Sequence, residues 1–196
     1  GAVATLAARC ARALGGRTFV LTTTLRALQT IGEKLRDTFE SECDNIQVLV
    51  QGSAPKRQLL QQFLNQPRSV LVGSQSFWEG IDVPGDALQC VLIDKLPFPP
   101  PNDPLVEARV KRLESEGRNP FADYFVAEAA VSLKQGAGRL IRSETDRGLL
   151  VICDPRMAGM NYGRRLRDAL PPMTRLLNEG EALAWLESLT AASLPF

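Results

Sequence analysis

With 196 residues, 44% of them hydrophobic, and a formal net charge of +1, the chain is long enough to bury a core without disulfide or metal staples. It is too nearly neutral to be a purely electrostatic nucleic-acid binder. It contains no histidine, which excludes Ser-His-Asp and Cys-His nucleophiles, HExxH zinc sites and any histidine proton shuttle.

Cys10, Cys43, Cys90 and Cys153 stand far apart and read as reduced thiols. No run reaches the roughly 18 apolar residues of a membrane span, and no charged segment leads into a secretory apolar core. The expectation is a cytoplasmic monomer without membrane contact, folded as one domain over residues 1–196.

Alanine-rich Ala2 to Leu14 predicts an opening helix within residues 1–16, stopped by Gly15 and Gly16. Gly15-Gly16-Arg17-Thr18 superficially matches the end of a Walker A loop. Arg17 stands where lysine is needed, however, and a strand follows, so this is not a phosphate loop. Thr18 to Thr22 reads as a buried strand, and Thr22, Thr23 and Thr24 precede the helical pattern of Leu25, Leu28, Ile31, Leu35 and Phe39. One hydroxyl caps that helix, while the others, with its free N–H groups, are candidates for a phosphate of a nucleic-acid backbone. Apolar Ile46 to Val50, a helix from Pro55 to Asn65, and a strand Ser69 to Val72 continue the alternation. Uniformly apolar strands separated by helices imply a parallel sheet covered on both faces, with ligands at the strands' carboxyl ends. That directs attention to the loops after Thr22, Val50 and Val72.

The loop Gly73 to Gly85 carries small hydroxyls, an aromatic pair and Glu79-Gly80-Ile81-Asp82. It reads either as a turn-rich connection with Phe77 and Trp78 in the core, or as a site. In the second case Ser74 and Ser76 face a phosphate backbone, and Gly80 and Asp82 face a nucleotide or nearby arginines. Ala87 to Leu96 predicts a strand ending at a proline rim from Pro97, and Pro104 to Gly117 a helix started by Asp103. After the Asn119-Pro120 break, Phe125 to Ser143 predicts a helix with Gln135, Arg139 and Arg142 on one face and Val126, Leu133, Ala137 and Leu140 on the other. The polar face is either solvated or an anion site, since guanidiniums match phosphate oxygens. Gly136 and Gly138 cost roughly 1 kcal/mol each inside a helix and are expected to admit a close backbone neighbour. Gly148 to Asp154 predicts a strand, Tyr162 to Leu170 a helix, and residues 171–196 a tail with an amphipathic helix over Glu179 to Thr190.

Ser76-Phe77-Trp78-Glu79-Gly80-Ile81-Asp82 resembles motif V, and Gln135-Gly136-Ala137-Gly138-Arg139-Leu140-Ile141-Arg142 resembles motif VI (QxxGRxxR), of the second RecA-like domain of superfamily 2 helicases. The wording is most similar to the DinG/YoaA branch of the XPD-like iron–sulfur DNA helicases, as are Leu96-Pro97-Phe98-Pro99 and Val151 to Arg156. The resemblance implies a RecA-like three-layer α/β/α domain with a mainly parallel sheet, and a role in DNA repair. It makes Arg142 an arginine finger toward the γ-phosphate of ATP, Arg139 a second phosphate contact, and Gln135 and Gly138 part of the nucleotide-facing motif. Gly80 and Asp82 would couple nucleotide state to DNA, while Thr23, Thr24, Ser74 and Ser76 would hold the phosphates of single-stranded DNA.

No Walker A lysine, magnesium-binding acidic box or close cysteine quartet is present. ATP with Mg2+ would therefore be held mainly by an N-terminal motor domain. Any iron–sulfur cluster would belong to that half and not to this chain. The expectation is the C-terminal portion of a longer ATP-dependent helicase, inactive alone. The alternatives are a non-catalytic binding module for nucleic acid or protein, and half of an RNA helicase.

Overall fold

Five parallel strands form one sheet in the order β2-β3-β1-β4-β5 in the computed structural model, which describes residues 1–192. The strands are β1 (Thr18–Thr22), β2 (Gln47–Val50), β3 (Ser69–Ser74), β4 (Cys90–Ile93) and β5 (Leu149–Ile152). Every residue of β1 and β4 is buried, as expected of inner strands covered on both faces. Alternation then divides their side chains between two layers. Val20, Val48, Val50, Val70, Val72, Cys90 and Leu92 join one cluster with α1 (Ala2–Leu14), α2 (Leu25–Ser41) and α9 (Glu179–Ala192). On the opposite face, α3 (Lys56–Asn65) packs on β2 and β3, and the single turn α4 (Gln75–Trp78) packs on β1 and β3. The fold is a three-layer RecA-like α/β/α sandwich.

The described residues divide into two compact units, the first comprising residues 1–95, 139–153 and 174–192 and the second residues 96–138 and 154–173. The helix α9 of the segment read as a tail belongs to the first unit's core, because Leu186 and Leu189 are buried in the cluster that holds α1. Arg9 reaches Glu179 at 2.6 Å, and the Thr190 hydroxyl donates to the Ala13 and Leu14 carbonyls at 3.3 Å.

The second unit contains α5 (Pro104–Ser115), a π-helical stretch Phe121–Val126, most of α6 (Ala127–Leu140), α7 (Arg156–Gly159) and α8 (Gly163–Ala169). Asp103 caps α5 by accepting from Leu105 and Val106 N–H at 2.9 and 3.2 Å. After the break, Asn119 Oδ1 accepts from Phe121 N–H at 3.0 Å and starts the wide turn. The unit's two chain segments are tied at their first residues, where Leu96 N–H donates to Asp154 Oδ2 at 2.9 Å.

Two expected boundaries shift, each for a local reason. The strand read over 87–96 shortens to Cys90–Ile93 because Gly85–Ala87 forms a 3-10 turn and Leu96 N–H goes to Asp154 instead of the ladder. The helix read over 125–143 ends at Leu140, and Arg142 lies beyond it. Its N–H and that of Ser143 donate to the Asp146 carboxylate at 2.9 and 3.0 Å instead of to helical carbonyls.

Candidate functional site

Parallel pairing sets Thr22 beside Ser74 and Leu21 beside Ile93, so the loops leaving β1, β3 and β4 emerge along one edge of the sheet. Thr22 itself is buried, its hydroxyl donating to Gly73 C=O at 3.4 Å. Thr24 is the helix cap, its oxygen accepting from Ala27 N–H at 3.1 Å. A capping hydroxyl still has its own proton to donate, and Thr24 is exposed. Thr23 differs, because its N–H and hydroxyl face the Asp94 carboxylate just past β4 and favour its ionised form. Burial pushes the Asp94 carboxyl up, and the bonds from Lys95, at 2.6 Å, and from Thr23 partly offset that rise. Of the two exposed threonines, Thr24 therefore keeps the donor that a phosphate needs.

Ser74 and Ser76 lie 2.9 Å apart, hydroxyl to hydroxyl. One proton joins the pair and the other remains to donate. Ser74 N–H is fixed at 2.7 Å to Gln51 Oε1, which reaches over from the end of β2. The α4 turn that carries Ser76 is seated by Phe77 and Trp78, both buried, whose rings lie 6.4 and 4.7 Å from that of Phe19. A Cβ on Gly73 would stand 3.1 Å from Phe77 and 3.2 Å from Phe19, so this aromatic packing needs glycine there. The core reading of the aromatic pair and the site reading of the serines thus hold together, since one anchors the other.

Beyond α4 the backbone turns at Gly80, whose φ of 77° lies in the left-handed region. Ile81 is buried and Asp82 projects outward, its side chain 85% exposed. Both arginines converge on these two residues. Arg139 Nη1 donates to Ile81 C=O at 2.6 Å, and Arg142 Nη1 pairs with Asp82 Oδ1. Each guanidinium uses one nitrogen in this way, and the Arg142 side chain stays 35% exposed. Asp146, which fixes the Arg142 backbone, is held below the ordinary carboxyl range by the N–H groups of Arg142 and Ser143. Arg142 is thereby aimed by carboxylates at both its backbone and its side chain, with N–H groups left over for an anion.

Gln135 and Gly138 are exposed on α6. The close backbone neighbour expected at Gly138 is absent, for a Cβ there would meet nothing within 4 Å among the described residues. Sequence reading passed over Gln51 and Asp94. The available signal was a polar residue at the carboxyl end of a buried strand, which the order β2-β3-β1-β4 places on the same edge as Thr23 and Ser74. Lys56 also went unnoticed. Its Nζ donates to Glu79 C=O at 2.9 Å and lies 5.2 Å from the Phe77 ring centre. Among the described residues no group of His, Cys, Asp or Glu could hold a metal ion, and no helix is long and apolar enough to cross a membrane.

A family model described as a helicase C-terminal domain matches residues 7–173. The chain is 43% identical over 173 residues to the ATP-dependent DNA helicase YoaA of Haemophilus influenzae, covering 88% of this chain and 26% of that relative. It is 39% identical over 180 residues to the ATP-dependent helicase DinG of Mycobacterium tuberculosis, covering 92% and 26%. A solved structure of S. tokodaii Xpd4 superposes with a TM-score of 0.61 at 16% identity, over 88% of this chain and 34% of that one, a likeness of fold. The chain thus spans about a quarter of the length of the curated relatives it matches.

Proposed function

The chain belongs to the helicase C-terminal domain family, and from that premise we propose that it is the second motor domain of an ATP-dependent DNA helicase of the DinG/YoaA kind. It supplies the arginine half of an ATP site and part of a single-stranded DNA track. One observation carries the reading: Arg139 and Arg142 both reach the Ile81-Asp82 segment of the loop whose start bears Ser74 and Ser76. The groups that would meet a nucleotide and the groups that would meet a strand are thus joined through one short loop.

ATP supplies a γ-phosphoryl group whose transfer spreads negative charge over its equatorial oxygens. This chain's share is electrostatic positioning. Among the described residues Arg142 keeps unpaired N–H groups beside its Asp82 contact, and Arg139 is held by a carbonyl with no carboxylate to offset its charge. The fit is that of an arginine finger, which acts on a phosphate cradled elsewhere. We assign that cradle, and Mg2+, to an N-terminal motor domain of the same protein. Gln135 and Gly138, in the same motif, are assigned as further nucleotide contacts. Movement of the 80–82 loop when Arg142 exchanges Asp82 for phosphate would shift Ser74 and Ser76, coupling hydrolysis to the strand. The Thr24, Ser74 and Ser76 hydroxyls contact backbone phosphates and carry little sequence preference. The protein works as a monomer in the cytoplasm.

Arg142→Ala in the full-length protein tests the assignment. DNA-stimulated ATP hydrolysis should fall on the order of a thousandfold, the scale of arginine fingers, with strand binding retained. Turnover near wild type would refute the role of Arg142.

A further inference from the structure

The second unit carries an aromatic cluster that neither the arginines nor the hydroxyl edge account for. Phe121 is 45% exposed although it is a large apolar ring. A single exposed apolar side chain is ordinary, but this one is rigidly mounted. Its ring centre lies 5.2 Å from Tyr162, 5.9 Å from Phe98 and 6.5 Å from Phe125. The Tyr162 contact is edge-on at 69°, and the Phe125 rings are close to parallel at 26°. The backbone is fixed as well, with Phe121 N–H on Asn119 Oδ1 at 3.0 Å. Rings from three separate stretches of chain therefore hold a fourth ring that still presents surface to solvent.

A charge accompanies it. Arg165 Nη1 donates to Ala122 C=O, the carbonyl next after Phe121, at 2.8 Å. Arg165 is exposed and makes no ion pair among the described residues. Its neighbour Arg164 has only a 3.9 Å approach to Asp168. Arg156 is different, for it lies over Phe98 and is consumed by Asp154. What remains is the exposed part of the Phe121 ring and, one residue away, a guanidinium that pairs with no carboxylate among the described residues. Every base offers a π-face to an aromatic ring and every nucleotide a phosphate to a guanidinium, so the pair matches one unpaired nucleotide. An acidic partner would use the arginine and leave the ring idle, and an apolar partner would bury the unpaired arginine at a cost.

We infer that Phe121 is a stacking platform for one base of single-stranded nucleic acid, with Arg165 taking the adjoining phosphate. The inference rests on the strand-binding reading above and adds to it a contact with a base. The Phe121 ring itself carries no hydrogen-bonding group, so stacking on it tolerates any base. Stacking also fixes the order of contributions, because removing the ring affects strands that carry bases, and removing the charge affects all strands.

The test is anisotropy binding of labelled oligothymidylate, and of an abasic strand of equal length, to the native full-length protein. Phe121→Ala should weaken oligothymidylate binding about five- to a hundredfold, the scale of alanine substitutions at base-stacking aromatics, and leave the abasic strand unchanged. Phe121→Trp should restore binding. Phe121→Leu, which keeps an apolar side chain for the cluster, should not. Arg165→Gln should lower the salt dependence on both strands by about 0.7 in log–log slope, one single-strand phosphate. If Phe121→Leu binds oligothymidylate like wild type, or if Phe121→Ala weakens both strands equally, the ring serves packing and the inference is overturned. If wild type binds both strands and Phe121→Ala changes neither, the ring faces another protein surface, which overturns the inference alone. A wild type that binds neither strand would overturn the strand-track reading along with it.

Discussion

Replacing Asp154 by asparagine should remove a pH-dependent clamp in the second unit. The side chain is 4% exposed and accepts from Leu96 N–H at 2.9 Å, from Arg156 N–H at 3.0 Å and from the Arg156 guanidinium at 2.6 to 3.0 Å. Burial pushes its carboxyl up. The Arg156 side chain, with the Leu96 and Arg156 N–H groups, more than reverses this and brings it from 3.8 to about 2. Each tenfold change in proton affinity is worth about 1.4 kcal/mol, so the ionised form contributes about 2 kcal/mol at neutral pH. Solvent screening on the half-exposed Arg156 makes this an upper value. Because the folded value lies below the unfolded one, the stabilisation is fully present above about pH 4 and is lost as pH falls through about 2. Urea unfolding of wild type and Asp154→Asn at neutral pH, at about pH 4 and at about pH 2 should show a gap of about 2 kcal/mol that closes only in the last step. A gap that persists unchanged at the lowest pH would show that Asp154 acts through shape and not through charge, and no gap at neutral pH would remove it as a clamp.

Gly73→Ala should destabilise by about 1 to 3 kcal/mol in thermal unfolding, since the new methyl group must displace Phe77 or Phe19; an unchanged midpoint would show that the rings yield freely. Leu186→Ala should cost about 2 to 5 kcal/mol, as for any fully buried leucine, and a loss under about 1 kcal/mol would mean α9 contributes little to the core. Thr24→Ala should lose a helix cap worth about 1 kcal/mol. It should also weaken strand binding with its salt dependence unchanged, because the hydroxyl is neutral, whereas Thr23→Ala, whose donors face Asp94, should leave strand affinity near wild type. In the full-length protein Asp82→Asn should lower ATP turnover less than Arg142→Ala does, because it removes the aim of the guanidinium and keeps its charge; equal losses would mean that Asp82 itself touches the nucleotide.

The sheet was legible because its strands are apolar throughout: Thr18 to Thr22 and Ser69 to Val72 admit no half-exposed reading, and parallel inner strands are what such runs build. A cap among Thr22, Thr23 and Thr24 and one at Asp103 were equally plain, small polar residues before apolar helical patterns, and the structure selects Thr24 of the three. The convergence of Arg142 on Asp82 was one of two options open to that carboxylate, and the loop geometry at Gly80 selects it. The end of α6 was not legible, since it depends on a carboxylate further along the chain, Asp146, competing for backbone N–H groups that periodicity assigns to the helix. Asp94 was hidden for the opposite reason. It follows an apolar run and has no local partner in sequence except Lys95, and only the pairing of β1 with β4 brings Thr23 to it. Gly138 shows a limit of reasoning from cost alone: a glycine inside a helix suggested a neighbour, and the described residues place none there.

The pairing of α1 with α9 has a consequence for how the molecule is made. Thr190 and Ala13, in hydrogen-bond contact, are separated by 177 positions, so α1 leaves a ribosome long before the helix that covers it. Until then Leu14 and the alanines of α1 lack the cover that Leu186 and Leu189 bring. Closing so long a loop is entropically costly and is rewarded only at the final step. Nascent chains stalled before α9 should therefore be the species that chaperones hold and proteases remove. Synthesis rate between α1 and α9, more than the speed of forming the sheet, would then set the yield of this folded unit.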